Sequence, residues 1–577
     1  MSAPGAAGTT GFFQDGPQLT NQYDGDALLR QTLARMLPAE VRAEVEPDLS
    51  RFGERVVTDV LGMARDAQAN PPQLVQYDAW GRRADHIETS LGWRALKGVA
   101  AEEGIVAIGY ERAHGAFSRL HQMAKLYLFN PSSAVYSCPL AMTDGAARLL
   151  ERADSVARER AYDRLTTRDR ARFWTSGQWM TERAGGSDVG RTGTVARAES
   201  GLPRGATHRL HGTKWFTSAT NSEMAMTLAR VEDANGETRD GSRGLSLFYV
   251  ETRDEAGALA DIEVLRLKDK LGTRALPTAE LELRGTPATL VGEPGRGVPT
   301  IATLINVTRL YNTICAVSNM RRGLALARDY AHRRHVFGRP LAEQPLHLET
   351  LAGLEVELQG ATALAFHCVG LLGREDVGEA TADEAAELRL LTPLAKLYTA
   401  RQSVAASSEI LESFGGAGYV EDTGLPALLR DSQVLSIWEG TTNVLSLDTL
   451  RAIQREDALR PSLERALQRC VAAAKAAPVL AASADRVASS VGLAAEYLPV
   501  AFADGMDALQ AGARRYAYGL TRVLTGSLLL EHAAWAATTL GDGRSVAAAK
   551  RWCAQDLAPY FLADADHRAA SRALALG

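Results

Sequence analysis

The sequence has few of the features that mark secreted, membrane-spanning or metal-binding proteins. Its 577 residues include only five cysteines, and no two of them form a CxxC pair. This spacing predicts reduced, buried thiols rather than a disulfide framework or a metal site. No run approaches the roughly 18 apolar residues that span a bilayer, and the N-terminus lacks a basic segment followed by an apolar core. We therefore expect a cytoplasmic protein with a loose N-terminal arm, no membrane partner and no bound metal.

The charge balance lacks a strong excess of either sign. The formal net charge is -5 and the pI is near 6.2, so no global basic field favours nucleic-acid binding. The last part of the chain is weakly basic, with 15 Arg and Lys against 12 Asp and Glu from residue 451 onward. DNA binding through this part therefore stays open as an alternative.

The chain is too long for one compact core, so several structural units are expected. Apolar residues three and four apart predict a helical first section, and short segments separated by Gly, Asn and Asp predict a small antiparallel β unit. Helical periodicity then returns, and Ala- and Leu-rich amphipathic helices end the chain. The predicted domains are 1–173, 174–293, 294–452 and 453–577. Within the first, Thr143 and Asp144 precede an apolar-periodic run and predict a helix start.

A single carboxylate raises the functional question. Glu439 stands between a tryptophan and a glycine in "VLSIWEGTTNVLSLD", residues 434–448. It could be a catalytic base, or an ordinary acidic residue at a helix start, where the helix dipole favours negative charge. The stretch alone does not separate these two interpretations.

Three further segments could contact a ligand. "WMTERAGGSDVGRT" predicts a tight glycine loop with Thr181 and Ser187 as donors, or a plain turn, and it is neither a P-loop nor G-x-G-x-x-G. "GTKWFTSA" places Trp215 and Thr217 on one side of a strand, as a surface for a planar heterocycle or as part of a β core. In "YAHRRHVFGRPLAEQP" the arginines are helix caps or ligands of a pyrophosphate.

Together these segments resemble one family, the acyl-CoA dehydrogenases. "MTERAGGSDV" resembles its flavin loop, with Arg183 where proline is usual, and "KWFTS" resembles its second flavin segment. "RRHVFGRPLAEQ" resembles the R-x-x-F-G-x-P motif, with Gln344 one residue early. "ESFGGAGYVED" resembles the Gly-Gly turn, with Glu412 in place of a glutamine, and "IWEGTTN" resembles the segment that carries the base. The five occur in the family's order.

The resemblance can be narrowed to one branch and implies a fold and an activity. "NPPQLVQYDAWGRRADHIETSLGWRALK", "SCPLAMTDGAARLLE" and the extra C-terminal helices resemble the AidB-like branch, from about residue 20 to the end. The implied fold is α+β: an N-terminal helical domain, a central antiparallel β-barrel-like domain, a four-helix bundle and an additional C-terminal helical domain. The implied activity is FAD-dependent oxidation of the Cα–Cβ bond of an acyl-CoA, of medium or long chain, in a homotetramer that is a dimer of dimers. An electron-transfer flavoprotein is the implied electron acceptor.

The same resemblance implies roles for individual residues. Glu439 corresponds to the α-proton base, and Thr308 stands where some members carry the base instead, which leaves Glu439 as the sole candidate. Arg309 either binds CoA or braces Glu439. The substrate contacts implied are Ser187, Arg309, Trp438 and Gly440. The cofactor contacts implied are Met180, Thr181, Gly186, Ser187, Trp215, Phe216, Thr217, Arg334, Phe337, Gln344, Gly415, Gly416, Thr441 and Asn443.

A second hypothesis is a binding protein that keeps the flavoprotein scaffold but has little turnover. Such a protein would protect DNA or sequester fatty acyl ligands. Phosphate contacts need clustered basic residues, and the C-terminal section offers Arg514, Arg515, Lys550 and Arg551.

Overall fold

The structure is a computed structural model that describes residues 15–153, 155–560 and 562–577. Residues 1–14 of the predicted N-terminal arm lie outside the described residues. The first section contains eight helices and one β-hairpin. The helices, α1 to α8, span Ala27–Met36, Ala39–Arg55, Asp59–Ala69, Leu91–Glu102, Ile108–Glu111, Ser118–Phe129, Ser137–Glu151 and Val156–Leu165, and the hairpin strands β1 and β2 span Gln73–Tyr77 and Arg83–Glu88.

The predicted helix start at Thr143 and Asp144 is wrong, because both residues lie in the middle of α7. The Thr143 hydroxyl donates to the Pro139 carbonyl at 2.6 Å, one turn earlier in the same helix. Asp144 is fully buried and accepts from the Arg119 guanidinium at 2.9 Å. These residues resemble a cap in sequence, but their polar groups are satisfied inside the helix and the core.

The hairpin of β1 and β2 was not predicted, since the first section was expected to be mostly helical. Its turn is stabilised by Asp78, whose carboxylate accepts from the backbone N–H groups of Trp80 and Arg82 at 2.8 and 2.9 Å. Gln76 donates to the Val264 carbonyl at 3.1 Å and so attaches the hairpin to the β domain. Leu74 and Ile87 pack against the core of that domain.

The β domain contains seven strands around a hydrophobic core that includes Trp179 and Phe248. Five of them close into a barrel in the order β4–β5–β9–β7–β6, because β6 also pairs with β4. The two remaining strands pair with barrel strands, β3 with β6 and β8 with β9. Most pairs are antiparallel, but β6 pairs in parallel with both β3 and β4. The strands β3 to β9 span Ser176–Trp179, Val195–Ala198, His208–Ser218, Met224–Val231, Leu245–Glu251, Ile262–Leu267 and Thr278–Val291.

Three long helices and two shorter ones follow the barrel. They are α9 Gly297–Arg333, α10 Pro345–Asp376, α11 Ala382–Ser413, α12 Leu425–Leu435 and α13 Thr442–Glu456, with the two-residue strands β10 His335–Val336 and β11 Arg339–Pro340 between α9 and α10. A capping box of Thr381 and Glu384 fixes the start of α11. Helix α10 is long and apolar enough to span a membrane, but 83% of its most apolar 18-residue stretch is buried inside the protein, as in a core helix.

The chain ends in five helices that pack on the bundle. They are α14 Leu459–Ala476, α15 Ala481–Ala503, α16 Met506–Leu540, α17 Gly543–Ala554 and α18 Ala565–Leu576. Buried Glu387 of α11 joins the two sections, because it accepts from Arg469 at 2.7 Å and lies 3.2 Å from the His367 ring. The helical, barrel, helical and additional helical sections confirm the predicted α+β fold.

Candidate active site

The backbone at Glu439 adopts a conformation that few side chains tolerate. Glu439 has φ 57° and Gly440 has φ 101°, both in the left-handed region, where a non-glycine residue costs about 1–2 kcal/mol. Helix α13 begins only at Thr442, so Glu439 precedes the helix and is not part of its first turn. The simple helix-start interpretation therefore does not account for this residue.

The Glu439 carboxylate lies deep in the protein and keeps only part of its surface accessible. Its Oε2 accepts from the Thr308 hydroxyl at 2.7 Å, and the Gln178 amide also hydrogen-bonds to it. Burial raises the pKa of Glu439, against the opposing effects of Thr308 and of nearby cations. A carboxylate with a raised pKa and partial access has the properties of a general base.

Two cations hold the loop that carries this carboxylate. Arg309 Nε donates to the Glu439 carbonyl at 3.3 Å, and its Nη1 pairs with Asp448 at 2.7 Å. The Nζ of Lys396, on α11, donates to the Gly440 carbonyl at 2.6 Å. Of the two roles expected for Arg309, bracing of Glu439 is the one with a contact in this chain, and CoA binding stays a prediction.

Trp438 forms one wall beside the base. Its indole N–H donates to the Asn312 side chain, and Asn312 donates in turn to the Leu435 carbonyl at 3.2 Å. The ring packs between two hydrophobic clusters of the helical sections. This packing fixes the indole beside the base, and the substrate contact implied for Trp438 stays a prediction.

The predicted flavin loop follows β3 directly and is held by an unpredicted buried ion pair. Glu182 accepts from Lys214 Nζ at 2.7 Å, and Lys214 has no exposed surface. Backbone hydrogen bonds between Glu182 and Gly185 tighten the loop. A Cβ on Gly186 would lie 2.4 Å from the Thr181 hydroxyl, so only glycine fits there.

This loop and the adjacent strand present groups that a ligand could use. Among the described residues no hydrogen-bond partner is found for the Thr181 or Ser187 hydroxyl, and Ser187 is exposed. The backbone N–H of Trp215 donates to the Thr181 carbonyl at 2.9 Å. The Arg183 guanidinium of the loop lies 5.4 Å from the centroid of the partly buried Trp215 ring. Phe216 is 53% exposed, and Met180 packs against the cluster below the loop.

The orientation of Thr217 does not follow the simple alternation of a regular strand. A bulge falls between Lys214 and Thr217, so the sequence spacing does not fix the side to which Thr217 points. Thr217 is buried, and its hydroxyl donates to the Ala279 carbonyl at 2.9 Å. Because none of its surface is exposed, the structure shows no access of a ligand to this hydroxyl, and its implied flavin contact stays a prediction.

Five of the residues that the resemblance implies as cofactor contacts lie at the other end of the bundle from Glu439: Arg334, Phe337, Gln344, Gly415 and Gly416. Arg334 is the residue that follows α9. The Gln344 amide, just before α10, donates to the Val336 carbonyl of the hairpin at 3.0 Å. Phe337, at the hairpin tip, is 97% exposed with φ 50°. The turn of Gly415 and Gly416 follows α11 and is exposed.

These segments are close to each other but far from Glu439. The rings of Tyr330 and Phe414 lie 4.7 Å apart, which brings the ends of α9 and α11 together. Arg309 and Arg334 are 25 positions apart on one helix, a distance of about 37 Å at 1.5 Å per residue. The two groups of predicted contacts therefore lie at opposite ends of α9.

The start of α13 contacts the C-terminal helices. Thr441 precedes α13 and is exposed. The Asn443 amide oxygen accepts from Arg514 Nη1 of α16 at 3.3 Å. Their predicted cofactor contacts stay predictions, and in this chain Asn443 links the base loop to the last domain.

Sequence reasoning missed Lys396 and Gln178. A sequence signal for Lys396 exists, because it is a lone charge in the apolar helical stretch "TPLAKLYTA". Gln178 has none, since one amide before a tryptophan is unremarkable. Its Oε1 is buried and has no hydrogen-bond partner among the described residues.

Comparisons with known proteins show which family the chain resembles. Four family models match: the AidB N-terminal domain, the acyl-CoA dehydrogenase middle domain, the acyl-CoA dehydrogenase C-terminal domain and an acyl-CoA dehydrogenase 11 C-terminal domain-like model, over residues 17–170, 177–286, 295–454 and 461–575. Acyl-CoA dehydrogenase family member 11 of Caenorhabditis elegans is 43% identical over 558 residues, which cover 95% of this chain and 90% of the relative. The chain belongs to the acyl-CoA dehydrogenase family.

Further relatives of this acyl-CoA dehydrogenase confirm the AidB-like branch. The putative acyl-CoA dehydrogenase AidB of Escherichia coli is 33% identical over 419 residues, covering 71% of this chain and 74% of the relative. The crystal structure of Caenorhabditis elegans ACDH-11 in complex with C11-CoA matches with a TM-score of 0.95 and 41% identity, covering 100% of this chain and 99% of that one. The Bd2924 apo-form matches with a TM-score of 0.83 and 50% identity, covering 90% and 99%.

FAD is the cofactor of acyl-CoA dehydrogenases, and the residues present here fit it. The orphaned Gln178 Oε1 is a buried acceptor next to the base. The loop carries the hydroxyls of Thr181 and Ser187, and the partly buried Trp215 ring lies beside it with Lys268 Nζ over the ring, 3.7 Å from its centroid. A flat heterocycle with polar edges needs this combination of an aromatic face and a few fixed polar groups.

Proposed function

We propose that this FAD-dependent acyl-CoA dehydrogenase removes the α-proton of its substrate with Glu439. The observation that carries the proposal is the position of this carboxylate. It is desolvated, hydrogen-bonded by Thr308 at 2.7 Å and held on a strained loop by two cations. When bound, FAD supplies the acceptor for the hydride that leaves Cβ.

The chain's own groups would act on the thioester in two ways. Glu439 takes the α-proton as a carboxylate, which the partly buried site makes more basic. Among the described residues the Glu439 N–H donates to no other group, so it can donate to the thioester oxygen as negative charge develops there. Gly440, without a side chain, allows the thioester to approach this backbone closely.

The acyl chain that we propose is of medium to long length. The support is the relative whose structure is named as a complex with C11-CoA, since it covers this whole chain at 41% identity. Ser187, Arg309 and Trp438 are the proposed contacts of the CoA arm and the acyl chain.

The experiment is anaerobic titration of the FAD-loaded protein with short, medium and long acyl-CoAs, followed by flavin absorbance at its long-wavelength maximum. We expect bleaching with the longer chains and weaker bleaching with the short ones. No bleaching with any chain length would contradict the proposed activity, and strongest bleaching with short chains would contradict the proposed length.

We propose a homotetramer, a dimer of dimers, as the working assembly. The support is the distance of about 37 Å between Arg309 and Arg334 along α9, together with two large exposed side chains at the far end, Phe337 at 97% and Tyr419 at 90%. Light scattering on the FAD-loaded protein tests this assembly, and a monomer that retains full FAD would contradict it.

The electron acceptor and the compartment follow as further proposals. On family grounds we propose an electron-transfer flavoprotein as acceptor, which is tested by its reduction in a coupled assay. We propose a cytoplasmic location because all five cysteines are buried and unpaired, as reducing compartments allow. Fractionation of cells that express the tagged chain tests this location.

DNA binding has little structural support. Arg551 pairs with Glu349 at 2.6 Å, and Arg514 donates to Asn443 and lies over the Tyr518 ring. Two of the four basic residues that this alternative needs are thus engaged with the protein itself. A salt-sensitive shift of duplex DNA, abolished by replacing Arg514, Arg515, Lys550 and Arg551, would establish it.

A further inference from the structure

Lys396 is a buried cation that contacts the base loop, and the proton transfer described above assigns it no part. It lies inside α11 with no exposed surface, and taking an ammonium out of water is costly unless other groups compensate. Its Nζ donates to the Gly440 carbonyl at 2.6 Å, and no ion-pair partner is found for it within the described chain. A cation kept in such a place is a candidate for a specific task.

The Gly440 carbonyl belongs to a pair. Arg309 of α9 donates to the carbonyl of Glu439, and Lys396 of α11 donates to the next carbonyl along the chain. Two cations from two helices therefore fix two successive peptide groups. Glu439 between them has φ 57°, a conformation that persists only where the surroundings enforce it.

We propose that Lys396 is a positioning residue for the base: its ammonium holds the Gly440 carbonyl, keeps the Glu439 backbone left-handed, and favours the charged form of the Glu439 carboxylate. This inference rests on the proposed role of Glu439. Lys396 acts through its hydrogen bond to the loop and through its positive charge near the carboxylate, and it does not touch the substrate.

Two cations act on the Glu439 carboxylate, Arg309 from α9 and Lys396 from α11, and the effect of Arg309 on its pKa is the larger one. Arg309 lies against Glu439 from α9, but it forms an ion pair with Asp448 of α13 at 2.7 Å. Lys396 faces Glu439 from α11 without such a partner, and Cys138 faces it from α7 as a neutral thiol. Burial lowers the pKa of Lys396 to about 7, against the opposing effect of Glu439.

The polar groups nearest the carboxylate are neutral. Thr308 and Gln178 both hydrogen-bond to Glu439 and lower its pKa, in opposition to burial. Removing the Lys396 charge leaves these bonds in place and takes away one cation. The carboxylate would then keep its proton to a higher pH.

The test compares three variants of the FAD-loaded protein. Lys396→Met removes both the charge and the donor, Lys396→Gln keeps a donor without charge, and Lys396→Arg keeps the charge. The readout is exchange of the α-protons with D2O in an acyl-CoA that carries sulfur in place of the β-carbon, measured by mass spectrometry against pH. This analogue can lose an α-proton but offers no β-hydride, so the measurement isolates the base.

We expect the acid limb of the exchange profile to move up by about 1 pH unit in the Met and Gln variants, and to stay in place in the Arg variant. At the pH optimum we expect the Met variant to exchange at least about tenfold more slowly than wild type because the loop is no longer fixed, and the Gln variant to recover part of that loss. The proposal would be overturned if the acid limb did not move in the Lys396→Met and Lys396→Gln variants, or if Lys396→Met exchanged as fast as wild type at the pH optimum.

Lys270→Met is the matched control. Lys270 is also a mostly buried lysine whose Nζ donates to a backbone carbonyl, that of Thr273 at 2.7 Å, but Glu439 is not among its neighbours. Its replacement should leave the acid limb in place. If the Met variant does not fold, the Gln and Arg variants still separate donor from charge. If Glu439→Gln exchanges α-protons as fast as wild type, the assignment of Glu439 as the base is wrong. If Glu439→Gln exchanges slowly but Lys396→Met exchanges as fast as wild type, only the role of Lys396 is wrong.

Discussion

The two ends of the long bundle differ in how complete they are within one chain. At the base end, the buried side chains of Thr308 and Lys396 donate to the Glu439 carboxylate and to the Gly440 carbonyl. At the far end, Phe337 is 97% exposed and Tyr419 is 90% exposed. The comparison indicates that contacts within one chain complete the base end, whereas the far end leaves large apolar side chains uncovered.

Both ends use a left-handed non-glycine residue, but they stabilise it differently. Glu439, at φ 57°, precedes a glycine and is held by Arg309 and Lys396. Phe337, at φ 50°, also precedes a glycine, Gly338 at φ 82°, in a two-residue hairpin turn. One conformation is enforced by buried charge and the other by the turn alone.

The largest expected effect is at the base end. Glu439→Gln removes the carboxylate but keeps the shape, so kcat should fall by about 10²- to 10⁴-fold, the usual contribution of a general base. FAD content and assembly should match wild type, since the far end is untouched. Steady-state assays with flavin absorbance check this. The control is Glu412→Gln, an exposed glutamate at the other end; equal losses in both variants would contradict the difference between the ends.

Arg309→Lys tests whether the base end is braced or binds CoA. A lysine cannot donate to the Glu439 carbonyl and pair with Asp448 at once as the guanidinium does. Loss of one charge-assisted hydrogen bond is worth about 1.5–3 kcal/mol, so we expect kcat to fall by about 10- to 100-fold with little change in KM. A higher KM with unchanged kcat would instead assign Arg309 to CoA.

Phe337→Ser tests the far end. Because the side chain is 97% exposed, its loss should leave the melting temperature of the isolated chain unchanged while weakening self-association by about 2 kcal/mol. Light scattering across a concentration series and the ratio of flavin to protein absorbance measure both effects. Trp80→Ser, at an 88% exposed hairpin tip in the first section, is the control. The proposed assembly through the far end is wrong if Phe337→Ser keeps its self-association and its FAD.

The smallest expected effect is the pH dependence of the wild type. Burial raises the pKa of Glu439 above its usual 4.5, and the base works only as a carboxylate. Activity should therefore be full above the raised pKa and fall as the pH drops through it. A profile of kcat/KM at constant FAD occupancy checks this. An acid limb at or below 4.5 would mean that Glu439 is not desolvated as the base end suggests.

The sequence predicts the fold well because periodicity reports burial over long segments. The 37-residue helix α9 and the barrel strands were recognisable from spacing alone. The hairpin of β1 and β2 was not, since its five- and six-residue strands are short and mostly exposed. Asp144 misled for a related reason: a capping residue and a buried ion-pair residue look alike until the partner, Arg119, is brought in from another helix.

The candidate site was predictable where it depends on local sequence and not where it depends on contacts between helices. Glu439 and Gly440 were predicted site residues only through the family resemblance of five segments together, since their own segment left two interpretations open. Lys396 could not be linked to them, because 43 positions separate it from Glu439 and only the packing of α11 brings them together. The fold likewise shows that Arg334 belongs to the far end.

The left-handed backbone of Glu439 has a consequence for protein engineering. A glutamate there costs about 1–2 kcal/mol relative to a residue that accepts this conformation, and its buried carboxylate adds to that cost. A selection for thermal stability alone would favour glycine or asparagine at position 439 and would return a tougher, inactive protein. Screens of this chain for heat resistance therefore need a turnover assay beside the melting curve, because melting alone would select variants that have lost Glu439.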